Sequence, residues 1–90
     1  MFEILISSKT RRKILKLLME DHQKEYYLRE IAGKILVSPS TVHREVHLLE
    51  KEGVLRSNVK GRLKYFTINK SYPLYKTIKS LIAQTPKIPF

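Results

Sequence analysis

Cysteine is absent from this chain of 90 residues. Disulfides, thiolate metal sites and a cysteine nucleophile are thereby excluded. No apolar run approaches the ~20 residues that a bilayer-spanning helix needs. The opening hydrophobic stretch, residues 1–6, is too short for a signal-peptide core and is interrupted by Glu3, so the expected compartment is the cytoplasm. A glycine-rich phosphate loop, paired active-site carboxylates and a Ser/His/Asp spacing are all missing, which argues against an enzyme. No cofactor is expected, and nothing points to a small-molecule ligand or a membrane partner.

Acidic residues are the most telling shortage. Asp and Glu number 8 against 18 Lys and Arg, giving a formal net charge of +10. None of the acids lies beyond Glu52. The remainder still carries Arg56, Lys60, Arg62, Lys64, Lys70, Lys76, Lys79 and Lys87. A small domain with such a positive block is expected to meet an anion, most commonly nucleic acid. The alternative is a basic but otherwise idle surface.

What is present reads as one small domain, with its core over about residues 7–83 and a loose tail at 84–90. Ser7 and Ser8 can cap a first helix that runs to about Met19. Ile14, Leu15, Leu17 and Leu18 share one side of it, whereas Lys9, Arg12, Lys13 and Lys16 share the other. Residues 25–27 suit a very short strand. Leu28, Ile31, Ala32 and Ile35 follow the i, i+3, i+4, i+7 rule and predict a second helix over Leu28–Ile35, with a poorly marked start at Tyr27. A break at residues 36–38 follows. Ser38-Pro39 then opens a third helix over about residues 39–52, stopped by Gly53 and buried along Val42, Val46 and Leu49. Residues 54–57 and Leu63–Ile68 read as two strands around a turn at 58–62 with Gly61 at its tip. Leu74, Tyr75, Ile78, Leu81 and Ile82 support a last helix over about residues 73–83.

Two helices joined by a tight turn form a helix-turn-helix unit, whose second member fits a major groove. Turning 100° per residue from a buried Val42 puts Ser40, Arg44, His47 and Lys51 on the outer side, flanked by His43. Arg44 has the fork of donors that reads guanine, and the amides at the helix start, near Ser38, Ser40 and Thr41, suit a phosphate. Lys60, Arg62 and Lys64 surround the hairpin tip and are expected to reach a neighbouring minor groove or its phosphates. No acid lies near them in sequence, which predicts an external partner. Alternatively, both features are solvated surfaces. The predicted class is mainly α with a small β-hairpin, a winged helix-turn-helix.

The segments Leu28-Arg29-Glu30-Ile31-Ala32, residues 37–46 and Leu49-Glu50-Lys51-Glu52-Gly53-Val54-Leu55 resemble the ArsR-like winged-helix transcriptional regulators. The opening Ser8-Lys9-Thr10-Arg11-Arg12-Lys13-Ile14-Leu15 is similar to their first helix, and the likeness covers about residues 7–83. This resemblance implies sequence-specific binding to double-stranded DNA as a homodimer, with the third helix in the major groove. Surplus apolar residues at Phe2, Ile4, Leu5, Ile6, Leu74, Ile78, Leu81 and Ile82 also favour pairing of two copies. The family often has glycine in the turn where this chain has Leu36, which costs about 1–2 kcal/mol if the backbone there is left-handed. Thiolate metal sensing is excluded.

His43 and His47 stand at zinc-binding spacing, but the only further histidine is His22 and no cysteine exists. They are assigned to the groove-facing surface, and no metal site is expected. The competing function is an interaction module that binds RNA or a protein through the same surfaces. An RNA binder would expose stacking aromatics, for which Tyr26, Tyr27, Tyr65 and Phe66 are the candidates.

Overall fold

The computed structural model describes residues 8–21 and 23–84. Helix α1 spans Lys9–Glu20, and Ser8 caps it by accepting from the Arg11 amide at 3.3 Å. Strand β1, Tyr26–Tyr27, leads directly into α2, Leu28–Ile35. The start of α2, unmarked in the sequence, is fixed by Glu30, whose carboxylate accepts from the Tyr27 amide at 3.4 Å.

The turn after α2 passes through Leu36, whose φ of 59° and ψ of 46° are left-handed. The Leu36 and Val37 amides both donate to the Ala32 carbonyl, so the helix end is satisfied despite the wrong residue type. Helix α3 covers Pro39–Lys51. Ser38 caps it, its Oγ accepting from the Thr41 amide at 3.4 Å. Glu52 is the C-cap rather than a helical residue, and Gly53 takes a φ of 86°. Its amide then returns to the Glu50 carbonyl and that of Val54 to the Leu49 carbonyl.

Strands β2, Leu55–Lys60, and β3, Leu63–Ile68, form an antiparallel hairpin in which Lys60 pairs with Leu63. The turn is shorter than expected, Gly61-Arg62, and β2 continues through Asn58, Val59 and Lys60, which had read as loop. Gly61 supplies the positive φ, 62°, that a tight hairpin requires. Sheet order is β1-β3-β2, with Tyr26 opposite Phe66 and Tyr27 opposite Tyr65. Helix α4 spans Tyr75–Gln84, two residues later than expected because Pro73 and Leu74 lie in the preceding turn.

The core lies where α1, α2, α3 and α4 close over β3. Ile14, Leu15, Leu18, Ile31, Ile35, Val42, Val46, Leu49, Val54, Leu55, Phe66 and Ile78 are its innermost members. Ile78 and Ile82, counted above toward pairing of two copies, are buried in this core. Leu74 and Leu81 of that set keep solvent exposure, and residues 2–6 lie outside the described residues. The tail expected beyond residue 84 does so too, as does His22.

Candidate nucleic-acid interface

The inner face of α3 is held by apolar packing and by one ion pair. Glu45, between Val42 and Leu49 on the helix, is buried and accepts from the Arg11 guanidinium of α1. This pair ties the third helix to the first across 34 positions. No helical-wheel rule reveals it, since Glu45 interrupts an apolar stripe.

The outer face of α3 presents most of the expected residues. Ser40, His43, Arg44 and Lys51 are exposed. Arg44 and Lys51 form no ion pair among the described residues, so their donors are free. Ser38 is exposed, but its hydroxyl caps the helix and donates to Thr41 Oγ1 at 3.0 Å. Thr41 is half-buried. His47 is half-buried as well, because its ring stands edge-on to Phe66 with centroids 6.3 Å apart. His43 and His47 meet, their Nε2 atoms 3.0 Å apart.

Two of the three wing cations have partners within the chain, against the expectation that their partner is external. Lys60 is paired with Glu25, from the loop before β1, and Lys64 with Glu50 of α3 at 3.0 Å. Both acids lie far away in sequence, so a local reading misses them. Arg62, at the hairpin tip, is exposed and has no ion pair among the described residues. Glu50 is a small hub: it accepts from the Ser57 hydroxyl of β2, from Lys64 of β3, and lies 3.9 Å from His47 Nδ1. The Ser57 hydrogen bond first, then Lys64, hold its carboxyl below the usual 4.5 against the opposing effect of burial. Glu25 likewise raises the Lys60 ammonium above 10.5. One carboxylate thus ties both wing strands to α3, while another ties the wing tip to the domain body.

Between the start of α2, the outer side of α3 and β3 lies a cavity of about 370 Å³. Tyr27, Leu28, Arg29, His43, His47, Leu63, Lys64 and Phe66 line it. Arg29, which the sequence reading did not single out, adds an exposed cation on α2 beside this face. The aromatic candidates do not form a stacking platform. Tyr26 and Phe66 are buried, and Tyr27 and Tyr65 are half-buried and pack edge-to-face on one another at 5.8 Å.

Residues 8–57 match the model of the bacterial regulatory proteins of the arsR family. The chain belongs to that family. Membership of the arsR family makes it a DNA-binding transcriptional regulator, and its matched span runs from the α1 cap into β2. No curated protein matches the chain in sequence. Among solved structures, reduced HlyU from Vibrio cholerae N16961 superposes with a TM-score of 0.76 at 15% identity, over 96% of this chain and 86% of HlyU. MepR, a transcription regulator of the Staphylococcus aureus multidrug efflux pump MepA, gives a TM-score of 0.74 at 19% identity. That match covers 92% of this chain and 63% of MepR. A possible transcriptional regulator for arsenical resistance gives 0.66 at 18% identity, over 92% of this chain and 94% of that one. These likenesses establish the winged helix-turn-helix fold of this arsR-family member. Among the described residues no helix is long and apolar enough to cross a membrane.

Proposed function

We propose that this regulator reads double-stranded DNA with the outer face of α3 in the major groove, while the wing at residues 58–64 lies on the flanking minor groove or phosphates. The observation that carries this reading is the contrast between the two faces of α3. Its inner face is packed and ion-paired, whereas Ser40, His43, Arg44 and Lys51 are exposed on the outer one. Arg44 has the bidentate donors that suit guanine O6 and N7. Lys51 is a phosphate ligand by type, and Ser38, Ser40 and Thr41 set the helix start toward the backbone. His43 and His47 supply donors or acceptors to base edges. Arg62 is the wing residue most ready for phosphate, and Lys60 and Lys64 join it by exchanging carboxylates for phosphates.

The active species is a homodimer, in which two α3 helices about 34 Å apart enter successive major grooves of a palindromic site. Regulation of promoters places the protein in the cytoplasm, and no step of this function is catalytic. The RNA reading loses support from the half-buried Tyr27–Tyr65 pair, whose rings pack edge-to-face on one another, and from the burial of Tyr26 and Phe66. Selection of bound sequences from a random duplex pool tests the proposal. A palindromic consensus with defined half-sites is expected. Uniform recovery of the pool would overturn sequence-specific reading, and a preference for structured RNA over any duplex would replace it.

A further inference from the structure

We propose that His43 and His47 form a two-imidazole chelate for a divalent late transition-metal ion on the outer side of α3. Residues four apart on a helix stand one turn above each other, which brings the two rings to a centroid distance of 4.1 Å. Their Nε2 atoms are 3.0 Å apart. Two imidazole nitrogens bound at about 2.0–2.1 Å to one ion, at angles between square and tetrahedral, lie about 2.9–3.4 Å from each other. The hydrogen-bonded pair of rings therefore already holds its nitrogens at the bite distance of a chelate, and the ion would replace the proton shared between them.

The second observation concerns the back of the His47 ring. The Glu50 carboxylate lies 3.9 Å from Nδ1 and accepts from the Ser57 hydroxyl and the Lys64 ammonium, which fix its position. An anion behind Nδ1 favours the tautomer with the proton on that nitrogen and leaves the Nε2 lone pair for a metal, the carboxylate–histidine–metal arrangement. The third is space. Both rings line the 370 Å³ cavity, which holds room for waters or an exogenous ligand to complete the coordination.

The donor set also selects the ion. Neutral imidazoles suit Cu²⁺, Ni²⁺ and Zn²⁺ and do not suit Ca²⁺ or Mg²⁺, which take oxygen. No third histidine, cysteine or carboxylate completes a cluster with them among the described residues. Binding is accordingly open and reversible, with Cu²⁺ the tightest of the three. Arg29 and Lys64 at the cavity rim work against a dication, Lys64 less so because Glu50 matches its charge. The i, i+4 spacing of these histidines is legible in the sequence, but with no third ligand in reach it assigns them only to the groove-facing surface; the contact between the two rings is what the fold adds. Metal and DNA bases would compete for the same nitrogens, a consequence that rests on the function proposed above, whereas the site itself does not.

The test omits DNA, so that failure of the two proposals stays distinguishable. The full chain is titrated with Cu²⁺, Ni²⁺ and Zn²⁺ chlorides near pH 7.5, with calorimetry for affinity and imidazole NMR for the nitrogens involved. One equivalent is expected per chain, with the largest Nε2 shifts at His43 and His47. His43→Gln and His47→Gln should each lower the affinity at least tenfold, and His22→Gln should leave it unchanged. Both variants alter a solvent-accessible ring rather than an innermost core residue, and circular dichroism checks that the fold is kept. Equal affinity in the His43→Gln/His47→Gln double variant, or loss on His22→Gln, would overturn the proposal.

Discussion

The recognition helix and the wing are held in opposite ways. Helix α3 is fixed from within, by Val42, Val46 and Leu49 in the core and by the buried Glu45–Arg11 pair. The wing is fixed largely from without, by the exposed Lys60–Glu25 pair and the half-exposed Glu50 hub. Their turns differ in the same sense. Leu36, at the entry to α3, and Gly61, at the wing tip, both take a positive φ, 59° and 62°. Only the second uses the residue type for which a positive φ is free of strain. Buried packing resists displacement by a ligand, whereas exposed ion pairs are weak and exchange readily for phosphate. On the function proposed above, the helix would enter the groove in one orientation while the wing adapts.

The largest effect should come from the inner face of α3. Glu45→Ala removes the carboxylate from a mostly buried pair and should destabilise the fold by about 3 kcal/mol, read by urea denaturation. A loss below ~1 kcal/mol would mean that α3 is no better anchored than the wing. On the outer face, Arg44→Ala should cost about 1–3 kcal/mol on the selected site and relax preference at one base step, with little change in stability. An equal loss on random duplex would make Arg44 a phosphate contact and remove the distinction between a reading helix and an adapting wing.

Leu36→Gly tests the two turns directly. Leu36 is 74% exposed, so little packing is lost, and relief of the left-handed strain should exceed the added entropy of the unfolded chain. A stabilisation of about 1 kcal/mol in thermal or urea unfolding is expected, and destabilisation would show that the leucine side chain makes a contribution its exposure conceals.

The wing should answer mainly through salt. Lys60→Ala and Arg62→Ala together should weaken binding to every duplex by a similar factor and flatten the salt slope by about one to two units per subunit. Arg62→Ala alone should account for more of that change than Lys60→Ala, because Lys60 exchanges one anion for another. Equal slopes for the two single variants would erase the difference between a paired and an unpaired cation. The smallest effect is acidification. Glu50 titrates below its unfolded value, so its stabilisation is complete above about pH 4.5 and is lost as pH falls through the lower folded value. Amide protection, corrected for intrinsic exchange rates, should therefore fall in β2 and β3 below about pH 4.5 before it falls in α3, and simultaneous loss would mean that Glu50 does not hold the wing separately.

Local signals carried most of the architecture. Ser38-Pro39, Gly53 and Gly61 mark their boundaries by backbone chemistry that needs only neighbouring residues, and the apolar periodicities of α1, α2 and α3 set which faces turn inward. The strand β2 escaped that logic, since Asn58, Val59 and Lys60 become strand by pairing with Tyr65, Lys64 and Leu63.

The sequence by itself determined the three-helix and hairpin order, the excess of positive charge and the polar outer face of α3, because each follows from residues a few positions apart. Tertiary structure alone decided which charges remain free. Glu25 and Lys60 stand 35 positions apart, as Arg11 and Glu45 stand 34, and Glu50 meets Lys64 only after the wing folds back on α3. A lysine's reach is long and its preferences are weak, so its partner is set by the position that packing gives its backbone. The same holds for His43 and His47: a helix brings them near, but Phe66 against one ring and Glu50 behind it are placed by the fold.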